Sequence, residues 1–154
     1  MSFGSVLAII GMAMATVLAG IGSIKGVSGA AQAAMGVMRE DPSKFGKMLP
    51  LMLLPGTQGL YGFIVAFLIM TNSGVMAGNF DLPLMQGFLF AVASLPIAFS
   101  GWLSGIAQGK AAVAAISLVA KDENNFSKGM VAVTLVEIYA LLGFIVSLLT
   151  VLNL

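Results

Sequence analysis

The sequence predicts an all-α membrane protein whose four transmembrane helices form two tandem hairpins. Hydrophobic residues make up 59% of the 154 residues and charged residues only 8%, whereas about a quarter of the residues of a typical soluble domain are charged. The apolar residues fall into four long stretches separated by short polar breaks. The second half of the chain also repeats the pattern of the first half, which indicates a duplicated hairpin.

The four apolar stretches cover residues 5–38, 48–73, 85–120 and 129–154. A helix needs about 20 apolar residues to cross the hydrocarbon core, so the second and fourth stretches predict one span each. The first and third would form helices of about 50 Å at 1.5 Å per residue, and we expect both to project beyond the hydrocarbon. No basic residue precedes the first stretch, which favours a retained span over a signal peptide.

The polar breaks predict the orientation of the chain in the membrane. They cover residues 39–47, 72–83 and 121–128. The seven basic residues all lie in or near the first and third breaks: Lys25, Arg39, Lys44, Lys47, Lys110, Lys121 and Lys128. Because cytoplasmic loops carry an excess of Lys and Arg, we expect these two breaks to be cytoplasmic loops and both termini to be extracellular.

An internal repeat divides the chain into two parts. The tetrapeptide GFIV occurs at 62–65 and again at 143–146, an offset of 81 residues. We predict a first hairpin at 1–73 and a second at 85–154, joined by an extracellular linker at 74–84. Each hairpin has two spans, so the two copies are parallel, in contrast to the inverted repeats of many transporters.

Glu137 is the only carboxylate inside the apolar stretch 130–154, and the repeat aligns it with Gly56. An ionisable group at bilayer depth costs roughly 2.5–3.5 kcal/mol on insertion scales, and such residues mark ion pathways. The chain has no Cys and no His, which excludes disulfides and the usual zinc and haem ligands. A site in this protein must therefore use oxygen ligands, which suit hard cations.

The second span carries polar side chains on one helical face. Leu54, Thr57, Gln58 and Tyr61 are spaced i, i+3, i+4 and i+7. Pro55 lacks an N–H group and perturbs the helix locally, and loosened backbone carbonyls commonly coordinate cations in membrane helices.

The third span adds Gln108, and residue counts from the cytoplasmic breaks place it within roughly 6 Å of the depth of Thr57, Gln58 and Glu137. We therefore predict Thr57, Gln58 and Gln108 as oxygen ligands that, with Glu137, replace the water around Na⁺, and Tyr61 as a hydrogen-bond partner of Glu137. The alternative for the Thr and Gln side chains is interhelical hydrogen bonding without a ligand. A proton site would need fewer such groups.

Small residues predict how the spans pack. The segments GIGSIKGVSGAAQAA (20–34) and GWLSGIAQGKAAVAA (101–115) are rich in Gly, Ala and Ser, which allow helices to approach closely. We expect the first and third spans to form an inner layer and the second and fourth to face lipid. Wedge-shaped protomers of this kind close into a ring through heterologous contacts.

The duplicated hairpin with one carboxylate resembles the rotor-ring proteolipids, the c or K subunits, of V-type ATPases. The resemblance covers essentially the whole chain and is closest in LPGTQGLYG (54–62), SGIAQGK (104–110) and VEIYALLGFIVS (136–147). The chain is especially similar to the bacterial sodium-translocating branch of this family. That likeness implies a Na⁺ site made of these groups: the backbone carbonyl of Leu54 and the side chains of Thr57, Gln58, Gln108 and Glu137, with Tyr61 bonded to Glu137.

The resemblance also implies the function and the partners. The chain would carry Na⁺ in a homo-oligomeric ring in a bacterial plasma membrane, without an organic cofactor and without hydrolysing ATP itself. Expected partners are a stator membrane subunit with an arginine, central-stalk subunits at 39–47 and 121–128, and lipid, but no nucleic acid. Two alternatives stay open: the same ring could carry H⁺, or the chain could be a small secondary transporter independent of ATP.

Overall fold

The computed structural model describes residues 1–154 and is helical almost throughout. It contains four helical spans: span 1 (Phe3–Glu40), span 2 (Pro42–Asn72), span 3 (Leu84–Lys121) and span 4 (Glu123–Leu152). Each is long and apolar enough to cross a membrane. The predicted all-α fold with four membrane helices is therefore confirmed.

The two charged turns are shorter than predicted. Residues 39–47 and 121–128 are almost wholly helical, and only Asp41 and Asp122 stand between successive helices. Both have extended backbones, with φ of −140° and −150°, and each carboxylate caps the next 3₁₀ turn by accepting a backbone N–H from two residues later. An Asp at this position caps the start of the next helix with its side chain, so a single residue separates successive helices and polar residues that predicted loops lie in helices instead.

Side-chain contacts join the two turns to each other. Lys44 donates to the carbonyl of Ala120, at the end of span 3, over 2.9 Å. Lys47 forms an ion pair with Glu123. At the first turn, the hydrogen bond from the Ser43 hydroxyl is the main cause of a lowered pKa of Asp41. This end of the molecule is thus one connected polar surface built from both hairpins.

Span 2 is interrupted where Pro55 was predicted to perturb it. An α-helix covers Phe45–Leu53, a 3₁₀ turn covers Leu54–Gly56, and a second α-helix covers Thr57–Asn72. The backbone N–H of Thr57 donates to the carbonyl of Leu54, the i→i+3 bond of a 3₁₀ helix.

The opposite end of the molecule holds both chain termini and the linker between the hairpins. Gly74 and Gly78 turn the chain there, both with φ of +76°, a conformation that L side chains rarely adopt. The hydroxyl of Ser2 donates to the carbonyl of Leu82 over 2.7 Å, and the N–H of Leu82 donates to Ser5 over 3.3 Å. These bonds hold the start of span 1 against the linker.

Spans 1 and 3 form the most extensive helix pair, as their small residues predict, while span 2 packs on span 1 and span 4 on span 3. The backbones of the central pair touch. A Cβ added to Gly22 would lie 2.5 Å from the carbonyl oxygen of Gly101, and one added to Gly105 would lie 2.6 Å from the carbonyl carbon of Gly22. Large apolar side chains are exposed on all four spans, among them Ile24, Phe63, Leu103 and Leu135.

Gly22→Ala should destabilise the chain by about 1–3 kcal/mol, the usual cost of overpacking. The new methyl would lie 2.5–2.8 Å from backbone atoms of Gly101 and Trp102, which cannot move aside separately from span 3. Gly20→Ala is the matched control, because no atom lies within 4 Å of a Cβ there. Denaturation of the purified chain in detergent measures the difference, and equal midpoints for the two variants would contradict the packing described.

Candidate functional site

The carboxyl group of Glu137 is 7% exposed and accepts hydrogen bonds from two other spans. Its Oε1 accepts from the hydroxyls of Thr57 over 2.6 Å and Tyr61 over 2.7 Å. Its Oε2 accepts from the amides of Gln108 over 2.7 Å and Gln58 over 3.3 Å. The fold therefore brings together every side chain that the sequence predicts for the site, at one depth between spans 2, 3 and 4.

The 3₁₀ turn brings the backbone carbonyl of Leu54 to the same place. The hydroxyl oxygen of Thr57 lies 2.9 Å from the Leu54 oxygen and 2.6 Å from Glu137 Oε1. A hydroxyl has one proton, so Thr57 can donate to only one of these two acceptors at a time. Three oxygens thus lie close together around the Thr57 hydroxyl, where one small cation could contact all of them.

The two glutamines complete the enclosure. Gln58 and Gln108 are fully buried, and the Gln58 amide N–H also donates to the amide oxygen of Gln108. The other end of the Gln58 amide, Oε1, is buried without a hydrogen-bond partner. Because an unsatisfied buried acceptor is costly, this oxygen at the edge of the carboxylate network is available to a ligand.

The chemistry of the donor set fits a small monovalent cation. Oxygens come from these five groups: the Leu54 carbonyl, the Thr57 hydroxyl, the amides of Gln58 and Gln108, and the Glu137 carboxylate. All are hard ligands, and hard cations bind through oxygen. Only one of the groups carries a charge, so a single positive charge would make the enclosure neutral.

Tyr61 has the position predicted for a partner of Glu137. Its ring stacks on Phe144 of span 4, with 5.0 Å between the ring centroids, which aims the hydroxyl at Glu137 Oε1. Tyr139, by contrast, is 67% exposed on the outer face of this chain.

Two contacts at the site have no signal in the sequence pattern. The Gln108 amide also donates to the backbone carbonyl of Val133 over 3.2 Å, which orients it toward Glu137. From span 1, the hydroxyl of Ser23 accepts the backbone N–H of Gly59 over 2.8 Å. A carbonyl partner is invisible in side-chain spacing, and Ser23 resembles any other small residue of the inner layer.

Comparison with known proteins gives two matches to one family, described as the C subunit of ATP synthase, at residues 10–69 and 91–150. The chain is 51% identical over 150 residues to the V-type sodium ATPase subunit K of Enterococcus hirae, with 97% of this chain and 93% of that protein covered. It is 37% identical over 144 residues to the A-type ATP synthase subunit K of Methanocaldococcus jannaschii, covering 94% and 61%. It is 30% identical over 148 residues to the 16 kDa proteolipid of the human V-type proton ATPase, covering 95% and 91%.

Tyr61→Phe should make Glu137 react faster with a hydrophobic carbodiimide. The variant keeps the stacked ring and removes one hydrogen bond to the carboxyl group, worth about 1 kcal/mol net, so we expect an increase of about fivefold. Tyr139→Phe is the matched control, since that ring lies on the outer face. The measurement is the rate of covalent labelling at Glu137, and equal rates for the two variants would show that Tyr61 does not restrain the carboxyl group.

Proposed function

The chain belongs to the family of ATP synthase C subunits, and from this membership we propose that it is a rotor-ring subunit of a V-type ATPase that carries Na⁺ across the membrane. The relative in Enterococcus hirae, named as a V-type sodium ATPase subunit K, supports the choice of ion at 51% identity over nearly the whole chain. The chain itself binds and carries the ion, and ATP hydrolysis takes place on other subunits.

The observation that carries this proposal is the oxygen enclosure around Glu137. Four donors converge on the two carboxylate oxygens, a pattern that suits an ionised carboxylate, which only accepts hydrogen bonds. An ionised carboxylate at this depth needs a counter-charge. A bound Na⁺ supplies that charge. The protein oxygens that replace its water come from Leu54, Thr57, Gln58, Gln108 and Glu137.

Rotation then follows from the charge state of the site. With Na⁺ bound, the enclosure is neutral and Glu137 can pass through the lipid-facing arc of the ring without the cost of an exposed charge. Beside the stator membrane subunit, an arginine there competes for the carboxylate and releases the ion into one half-channel. The next ion enters from the other side of the membrane, so one turn moves one ion per protomer.

The single carboxylate also indicates whether the complex pumps ions or synthesises ATP. Each protomer has four spans but only one carboxylate at bilayer depth, Glu137, because the first hairpin has Gly56 at the equivalent position. A ring of such protomers carries fewer ions per turn than one with a carboxylate in every hairpin. Fewer ions per ATP permit pumping against a steeper gradient, which suits a pump.

The two ends of the helical bundle face different sides of the membrane, and other subunits of the ATPase contact the ring at the cytoplasmic end. We place the connected turns around Asp41 and Asp122 in the cytoplasm, against the central stalk, and both termini outside a bacterial plasma membrane. The bonds from Lys44 to Ala120 and from Lys47 to Glu123 support this, because they make one continuous polar surface from the two hairpins. Heterologous contacts between copies of the chain close the ring.

We also propose that the two hairpins, 1–73 and 85–154, with the linker 74–84, are the two units of the duplication. The two family matches begin at residues 10 and 91 and end at 69 and 150, so each lies within one proposed unit.

A proton ring is the second candidate. The human relative is named as part of a proton ATPase, at 30% identity, and a protonated Glu137 would be neutral as well. A proton, however, needs only one acceptor and leaves the buried Gln58 Oε1 without a partner. Protection of Glu137 from carbodiimides by Na⁺ separates the two candidates, since Na⁺ gives little protection to a site that binds only protons.

The other alternative, a secondary transporter, is distinguished by purification and by energy source. Such a protein would be isolated without a ring and would work without ATP.

Glu137→Gln should abolish ATP-driven Na⁺ uptake by vesicles that contain the whole complex, because a neutral amide cannot compensate the charge of Na⁺. The variant chain should still insert and assemble. Glu40→Gln, at the exposed last residue of span 1, should retain uptake. Uptake at the normal rate by the Glu137→Gln complex would refute the assignment of the site.

Thr57→Val should raise the Na⁺ concentration that protects Glu137 from carbodiimides by about tenfold. The substitution removes the hydroxyl ligand, while the valine side chain has nearly the same size as threonine. The pH dependence of carbodiimide labelling at Glu137 should change less than the Na⁺ dependence, because a proton needs no hydroxyl ligand. Thr71→Val in the same span is the control, as its hydroxyl bonds only to neighbouring groups at the exposed end of the helix. If Thr57→Val changed the pH dependence of labelling more than its Na⁺ dependence, the result would favour a ring that carries protons.

A further inference from the structure

Span 1 supplies no oxygen to the enclosure but lies against the segment of span 2 that does. The Leu54 carbonyl, the Thr57 hydroxyl and the Gln58 amide come from the 3₁₀ turn Leu54–Gly56 and the first two residues after it. Hydrogen-bond geometry is poorer in 3₁₀ than in α-helix. The positions of these oxygens therefore depend on what holds the turn from outside.

Two contacts from span 1 hold this segment. The buried hydroxyl of Ser23 accepts the N–H of Gly59, the residue directly after Gln58, over 2.8 Å. One turn further along span 1, a Cβ at Gly26 would lie only 2.7 Å from the Cβ of Pro55. The contacts thus fall on both sides of Thr57 and Gln58, one at the proline and one just after the two ligands.

The internal repeat supplies a comparison within the same chain. The counterpart of Ser23 at the offset of 81 residues is Ser104, which is also buried but whose hydroxyl has no hydrogen-bond partner. The counterpart of Gly59 is Ala140, in a continuous α-helix from Phe126 to Leu152. The serine-to-backbone bond therefore accompanies the 3₁₀ turn and its ligands, and the general packing of an inner on an outer helix does not require it.

We propose that Ser23 is a positioning residue that sets the distance between the span 2 oxygens and Glu137, and thereby the preference of the site for Na⁺ over other monovalent cations. This inference rests on the proposed function of the site. Selectivity among cations depends on the size and flexibility of the ligand cavity. Without the serine oxygen, the Gly59 N–H loses a buried partner, the turn loosens, and the cavity fits Na⁺ less closely.

The test uses the assembled complex with single substitutions in this chain. In Ser23→Ala, the Na⁺ concentration for half-maximal ATPase activity should rise about tenfold, the effect of leaving one buried donor unsatisfied. The maximal rate at saturating Na⁺ should stay within about twofold of the original, and the ratio of apparent Na⁺ to Li⁺ affinity should fall. Ser23→Thr keeps the hydroxyl and should restore most of the affinity. Ser23→Cys, a weaker acceptor, should give an intermediate shift.

Ser104→Ala is the matched control and should leave the Na⁺ dependence unchanged. A second measurement, the Na⁺ concentration that protects Glu137 from carbodiimides in membranes, reports on the site without coupling to ATP hydrolysis. Equal shifts for Ser23→Ala and Ser104→Ala would overturn the inference. So would a lower maximal rate or ring yield in Ser23→Ala with an unchanged Na⁺ requirement, which is a purely structural effect.

The same data separate this inference from the proposed function. If Na⁺ protects Glu137 in the original protein and Ser23→Ala changes nothing, the role of Ser23 alone is wrong. If Na⁺ has no effect on the original protein, the sodium site and the inference built on it are both wrong.

Discussion

One carboxyl group inside an apolar span, that of Glu137, is the constraint on which the proposed function depends. Glu137 can remain ionised there only with a compensating cation and with polar groups in place of water. Spans 2 and 3 direct hydroxyls and amides at one carboxyl group on span 4, and the Leu54 carbonyl lies beside the Thr57 hydroxyl. In the proposed mechanism, an ion that binds and leaves this point changes the charge of the protomer, and that change couples ion movement to rotation.

The duplicated hairpin provides the frame for this site while its two halves have diverged in role. The inner spans touch through glycines such as Gly22 and Gly101, and spans 2 and 4 pack on this central pair. In the first hairpin, a 3₁₀ turn at Pro55 interrupts the outer helix next to the proposed ligands. In the second, an unbroken helix carries the carboxylate. Each half therefore supplies what the other lacks, and neither half alone contains a complete site.

Much of this arrangement could be predicted from the sequence because its signals are long and regular. Four apolar stretches, the repeated GFIV and the small-residue segments define the spans and their layers, and counting at 1.5 Å per residue places Gln108 and Glu137 at one depth. The turns at Asp41 and Asp122 were predicted as longer loops because composition reports polarity and not capping geometry. The Ser23 contact was missed because it depends on how one helix is rotated against another, which residue spacing does not determine.

The most direct test of the account is the Na⁺ dependence of ATP hydrolysis by the intact complex at constant pH. A ring whose site must bind Na⁺ before it can enter the lipid should stop turning when Na⁺ is removed, so we predict activity that rises and saturates with Na⁺ concentration. Activity that is unaffected by Na⁺ and varies only with pH would contradict the sodium site and identify the ring as a carrier of protons.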